Sequence, residues 1–501
     1  MSAARIRLRY ATLINYASTI YRMLVAIGFV VVVARRLSVS EFGLWGIMLS
    51  ASLMLSMPVS IWAFWSRRYY VRGKPEASGT GVWLTLIYSV PLTLAYIGLA
   101  YFENYVIGWG LTELLIALPI PLLMAMDTYL TAFSAVIKPE LVGYKRVVYE
   151  TLRLAVAYVT VVILGFRYVG AVLALAVALL TAIIFSVGVL IKYNAINLRF
   201  SLRLVKEWFK ASYVPLIGII NGFLRNALRV IASWVTGSEV PAAYLNVALA
   251  AQSPMQASGA AVTPALYARM LRERRASDVE ESMRLLFLTG MYMLVIFTVL
   301  SKPIASLYSP QYVEVSILIV ITALYSLVNA LFSVCSAALT GAELVDVEGI
   351  KSHREIIHSS LFKVPLVALL ATVSAYAISI PSGYILSANY LLVASLFLLA
   401  FLLTSVASFV VIYRMAVKEM AFKFPVREAL ATAISAILMA IYFLALKVND
   451  VTVTRFWTDA PYLLIHIIIG SLIYVATLAL TSKWFRSLLK SAFTAVRSGT
   501  I

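Results

Sequence analysis

The chain has 501 residues, 62% of them hydrophobic and 13% charged, with a mean hydropathy of +0.94. A soluble domain is about 45–50% apolar and about 25% charged, so the composition excludes one and indicates an all-α polytopic membrane protein. The formal charge of +19 need not mean nucleic acid, because lysine and arginine collect on the cytoplasmic side of membrane proteins.

Stretches of about 20 mostly apolar residues, taken in chain order, predict fourteen transmembrane helices. They lie near 11–34, 42–65, 81–101, 112–137, 149–166, 168–191, 212–236, 240–268, 284–308, 314–340, 360–380, 384–413, 425–446 and 460–482. Arg5, Arg7 and Arg9 precede the first run, which is too long for a cleaved signal and is expected to stay as the first helix. Counted with the adjoining span ends, the segments on the N-terminal side of the membrane carry 32 of the 41 Lys and Arg, and those on the far side carry 6. Arg22, Arg225 and Arg229 remain within spans. This alternation predicts both termini in the cytoplasm and a multi-pass protein of the cell (plasma) membrane.

The inner segment 192–211, "KYNAINLRFSLRLVKEWFKA", mixes apolar and basic residues and predicts an amphipathic helix lying on the membrane surface. It divides the chain into a six-helix bundle (1–191), this linker, a second six-helix bundle (212–413) and two further helices with a cytoplasmic tail (414–501). The two bundles read as pseudo-symmetric repeats. "SEFGLW" at 40–45 follows the first span and "SEVPAAY" at 238–244 follows the seventh, an offset of 198 residues between Glu41 and Glu239. Parallel repeats of this kind are a transporter plan, with the site between the halves near midplane.

Catalytic and metal-binding patterns are missing. No glycine-rich phosphate loop with lysine, no HExxH and no CxxC occurs, so no enzyme, metal or cofactor is expected. His353 and His358 read as solvated loop residues, His466 as a hydrogen-bonded packing residue and Cys335 as a small core residue.

Charge inside the predicted spans is the informative feature. Asn221, Arg225, Arg229 and Ser233 recur by four and share a stripe of the seventh span, while Asn15, Ser18 and Arg22 form a similar stripe on the first. Gln252 and Gln256 add polarity to the eighth. Asp127 is the one acid, expected to pair with one of the arginines. Three central arginines cost on the order of 9 kcal/mol, which one ion pair does not offset; a hydrated cavity visited by an anion does. Arginine's planar fork suits phosphate. Arg67 and Arg68, at the inner end of the second span, are read as first contacts for a headgroup, with ordinary positive-inside anchoring as the competing reading. Arg35 and Arg36 break the charge rule on the far side and are read as an outer gate.

Several motifs carry a resemblance. "VVVARRLSVSEFGLWGIMLSAS" (31–52) resembles the first hairpin of polysaccharide-export-type oligosaccharide flippases. "TGSEVPAAYLNVALAAQSP" (236–254) is similar to their seventh-to-eighth turn. "LSKPIASLYSPQYVEVSILIVITALYSLVNALFSVCSAALTG" (300–341) is similar to their ninth-to-tenth hairpin. The resemblance implies the fold of the multidrug/oligosaccharidyl-lipid/polysaccharide exporter superfamily, two six-helix bundles in a V followed by two helices. It implies a polyprenyl (di)phosphate-linked oligosaccharide as cargo, moved to the outer leaflet by alternating access, with Arg22, Arg225 and Arg229 on its phosphates. The partners it implies are membrane lipids and glycan-assembly enzymes, for a monomer that binds no nucleic acid. Many relatives carry an aspartate where this chain has the Arg225–Arg229 segment. The alternatives are a multidrug or organic-cation antiporter of the same superfamily, which would want embedded acids, and a non-transporting scaffold for glycan assembly.

Overall fold

A computed structural model describes residues 8–71, 73–195, 197–210, 212–270, 274–343 and 357–497. His353 lies outside them, as does the side chain of Asn15. Every regular element among the described residues is a helix, and ten helices are long and apolar enough to cross a membrane, or eleven if one bent pair forms a single span. The chain is a multi-pass membrane protein.

Three of the fourteen expected spans fall short of that test, each for a local reason. The first, α1 (Leu8–Ala34), has a described apolar part of only Leu24–Ala34. The fifth begins earlier than its apolar run: α7 (Pro139–Ala157) starts at a proline in its first turn and carries Lys145, Arg146, Glu150 and Arg153 before it loosens into a π-turn at Tyr158–Ile163. The eighth is broken into Val240–Ala251 and Ser253–Met270. The split expected near 379–384 lies later, because the helix runs Ser360–Ile385 and the next starts at Tyr390.

Contacts group the chain into two compact units, Met1–Asn246 with Ala368–Ala400, and Val247–Val367 with Phe401–Ile501. In the first, α2 (Val39–Ser56) opens on a capping box in which Ser38 and Glu41 exchange side-chain bonds with each other's backbone. Pro58 ends it, and Tyr88 donates to the Leu55 carbonyl at 2.8 Å across the break into α3 (Val59–Val71). Next come α4 (Glu76–Ile107), α5 (Leu111–Leu115), α6 (Pro119–Ile137), α7 and α8 (Arg167–Lys192). Trp62, Leu92, Tyr129, Phe133 and Leu190 form the core that α3, α4, α6 and α8 share.

The linker contains a helix as expected, shortened to α9 (Leu202–Lys210). Leu204 and Trp208 are buried in that same core while Arg203, Lys206 and Lys210 face outward. The Arg203 guanidinium, 3.0 Å from Glu207, holds that carboxyl below its usual range. Before α9 an extended strap lies against the start of α4. Trp83 donates to the Leu198 carbonyl at 2.9 Å, and the Thr80 hydroxyl accepts the Ser201 N–H at 3.0 Å. Gly79 permits this approach, since a Cβ there would stand 1.9 Å from the Asn197 carbonyl oxygen. Gly79→Ala is expected to destabilise by about 1–3 kcal/mol and to speed proteolysis between residues 195 and 201, measured by thermal unfolding and limited digestion in detergent. Gly98→Ala, which meets nothing within 4 Å, is the silent control.

The second unit packs around Leu266, Met283, Leu286, Val334, Cys335, Ile412 and Ala416. Cys335 is a fully buried core residue. The last long helices, Val426–Ala445 and Phe456–Thr481, join this unit through Tyr474, which donates to the Leu288 carbonyl at 2.8 Å. His466 bonds the Tyr442 hydroxyl at 2.8 Å, the packing role its sequence context suggests, and His358 is exposed.

Candidate functional site

The expected seventh span is the bent one. Pro215–Asn226 and Leu228–Thr236, the paired limbs of α10 (Tyr213–Asn226) and α11 (Leu228–Thr236), meet at 45°. The cause is local. The Asn226 amide donates back to the Gly222 carbonyl at 3.0 Å, and the Ala227 N–H is shared between the Phe223 and Leu224 carbonyls. Two side chains of the Ser360–Ile385 helix brace the bend. Tyr376 donates to the Leu224 carbonyl at 2.6 Å, and Thr372 donates to the Asn221 Oδ1 at 2.7 Å.

Arg225 and Arg229 stand on either side of this kink. Arg225 is exposed. Arg229 donates from Nη1 to the Ser50 hydroxyl of α2 at 2.9 Å, while its Nε is buried without a hydrogen-bond partner. No acid pairs with Arg229 among the described residues. The nearby Ser233 hydroxyl is also buried and unsatisfied. This limb therefore holds a guanidinium whose one bonded neighbour is neutral, beside unused hydrogen-bonding capacity. An incoming anion would find both.

The expectation for Asp127 is corrected. Its partner is Lys145 of α7, at 2.6 Å, with Thr131 alongside, and not Arg225 or Arg229. Arg22 also has an acid the sequence reading did not give it. Its Nε lies 3.5 Å from Glu150 Oε1, and Arg153 holds the other oxygen at 2.7 Å while stacking on the Phe29 ring at 4.4 Å. Glu150 is 3% exposed in its side chain and Arg22 56%. Arg146 faces the same group. The bond between Tyr21 and Thr151, 2.7 Å, ties α1 to α7 beside them. Four cations and two acids thus occupy the seam where one arginine was expected. Sequence signals existed: Glu150 and Arg153 are spaced i, i+3, and a proline-acid pair at 139–140 marks a helix start.

The remaining expected residues are placed as follows. Ser18 is buried on α1; Gln252 is buried and Gln256 exposed, both in the second unit. Arg67 is half-buried and Arg68 exposed, with Arg68 4.2 Å and Arg67 5.7 Å from the Phe64 ring centroid. Burial and the adjoining Arg68 charge lower the Arg67 pKa from its ordinary value. Arg35 and Arg36 lie in the turn between α1 and α2, half-buried and exposed respectively. The acids at this end went unread: Glu41 binds Arg167 at 2.9 Å, and Glu239 accepts from Ser40. The two short motifs of the suspected repeat meet here. Asn246 donates to the Phe42 carbonyl at 3.0 Å, and Gly43 and Gly46 leave no room for a Cβ against Glu239 and Asn246.

No family model matches the sequence, and no curated protein does either. Solved structures do. The chain superposes on a lipid II flippase MurJ in an inward closed conformation with a TM-score of 0.67 at 14% identity, covering 95% of this chain and 100% of that one. The chain therefore shares the fold of that flippase. An inward-facing multidrug resistance MATE family transporter of the MOP superfamily aligns at 0.53 with 16% identity, over 82% of this chain and 94% of its own. A point mutant of the Vibrio cholerae MATE transporter VcmN aligns at 0.55 with 13% identity, over 82% and 97%. The MurJ alignment reaches further along this chain than either MATE alignment does.

Proposed function

We propose that the chain is a membrane flippase that moves a polyprenyl (di)phosphate-linked oligosaccharide from the cytoplasmic to the outer leaflet by alternating access. The observation that carries this reading is Arg229, a guanidinium within a membrane helix whose bonded partner is the neutral Ser50 hydroxyl. With Arg225 one turn away it offers two forks for phosphate oxygens. Arg22 contributes less than the sequence suggested, because Glu150 already draws on its charge. The flippase among the fold neighbours supports a lipid cargo, and alignment over 95% of the chain supports the same span plan. The reading includes fourteen spans as two six-helix halves with two further helices, both termini cytoplasmic, in the cell membrane. The protein acts as a monomer beside glycan-assembly enzymes, and Arg67, Arg68, Arg35 and Arg36 serve at its two ends.

One observation favours the cation-antiporter alternative. Glu103, in the last turns of α4, is a membrane-embedded acid with no cation bonded to it among the described residues. The deciding experiment reconstitutes the protein in vesicles carrying a fluorescent polyprenyl diphosphate oligosaccharide. Transfer of the label between leaflets, with no uptake of organic-cation dyes, is the expected result. Dye exchange without lipid transfer overturns the flippase reading, and neither activity favours the scaffold.

A further inference from the structure

We infer that Glu103 is a proton-binding site whose occupancy is tied to the position of α11, the limb that carries Arg229. Glu103 is 1% exposed. Its Oε1 accepts from the Trp234 indole N–H of α11 at 2.7 Å, and its Oε2 is buried with no hydrogen-bond partner. The Phe102 ring packs edge-on against Trp234 at 4.9 Å and closes the pair from one side.

Three features of this place disfavour an anion. Burial takes the carboxylate out of water, and only one of its two oxygens is bonded. The residue sits in the last turns of α4, which ends at Gly108, so it meets the negative end of the helix dipole. The charged groups on neighbouring elements do not compensate. Tyr96, on α4 itself, donates to the Leu114 carbonyl of α5 at 3.0 Å. Glu113 of α5, Glu41 of α2 and Glu239 before Val240–Ala251 are all acids; of the cations at this end, Arg167 is bound to Glu41, and Arg35 and Arg36 lie in the turn between α1 and α2. Arg229 of α11 is turned to Ser50. A carboxylic acid, with its carbonyl oxygen on the indole N–H, fits this setting and a carboxylate does not.

The acid is a carrier because of what covers it. Trp234 belongs to a helical limb already bent at 45° from its partner. Displacing that limb removes the one donor and admits water, and Glu103 then releases its proton to that water. Return of Trp234 requires the proton back. The site thus links proton binding to the movement of the helix that holds Arg229. It concerns a proton, not the cargo, and stands or falls separately from the flippase reading.

The test is infrared difference spectroscopy on the full-length protein in lipid at neutral pH. Subtracting Glu103→Gln from wild type is expected to leave one carboxylic-acid C=O stretch, which Glu103→Asp shifts instead of removing. Trp234→Phe, which keeps Glu103 and takes away its donor, is expected to move that band to higher frequency. If wild type and Glu103→Gln do not differ in the carboxylic-acid region, the proton site is wrong. A band that Trp234→Phe leaves in place breaks the link to α11.

Discussion

Export of the lipid-linked glycan should fall by at least about 100-fold when Arg225→Ala and Arg229→Met are combined, with the protein still present in the membrane at its normal level. A charge-assisted hydrogen bond is worth about 1.5–3 kcal/mol, so losing two removes about 3–6 kcal/mol of headgroup binding, and every 1.4 kcal/mol is tenfold. Stability should not fall with it. Arg229 is half-buried, with a buried, unsatisfied Nε and only a neutral partner, so the folded protein gains little from its charge. Methionine fills the space without that penalty. This separates the site from a structural ion pair, where function and stability would be lost together. Arg229→Lys retains the charge but not the planar fork, and should sit between the double variant and wild type. Complementation of a flippase-deficient strain, with outer-surface glycan as the readout, checks the series. Normal glycan in the double variant would remove Arg225 and Arg229 from the mechanism.

The helices that hydropathy locates are those whose apolar run and helical extent coincide. Phe456–Thr481 and Arg167–Lys192 are examples, both close to their sequence-expected bounds. Where the two diverge the reading slips, and α7 is the clearest case. Its apolar run starts near residue 149, but backbone hydrogen bonding starts at Pro139. Lys145 therefore counted as a loop cation and Glu150 as an unremarked acid at a span end. Both face neighbouring helices instead, Lys145 toward Asp127 and Glu150 toward Arg22. A charge on a helix–helix seam leaves no trace in a window average, because the same residue would look identical facing water. Glu103 escaped in the same way, lying just past the apolar run of α4 yet inside its helix. The Arg225–Arg229 stripe was legible because its spacing of four falls in the middle of an apolar run. The kink between them was not. It depends on one amide, Asn226, choosing a backbone carbonyl, and on Tyr376, about 150 residues on, meeting the carbonyl beside the break.

Glu150 supplies the second large effect. Glu150→Ala is expected to destabilise the protein by about 3–5 kcal/mol, the usual cost of breaking a buried ion pair from one side. The loss leaves Arg153 half-buried, at 16% side-chain exposure, with Arg146 nearby and no acid on this part of the seam among the described residues. Adding Arg153→Met should restore most of the stability, because the stranded charge goes with its partner. Thermal unfolding of the four members of this cycle in detergent measures the coupling. A double variant no more stable than Glu150→Ala would mean that Glu150 acts through packing alone. Arg22 can then be judged by comparison. Its side chain is more than half exposed and Arg153 already holds Glu150, so Arg22→Ala should cost no more than about 1 kcal/mol, the range of an exposed ion pair. A large fall in export from that near-neutral change would assign Arg22 to the phosphate after all. An export level that simply follows stability through the Glu150 series would leave Arg22 as part of the α1–α7 seam and the kinked helix as the anion site.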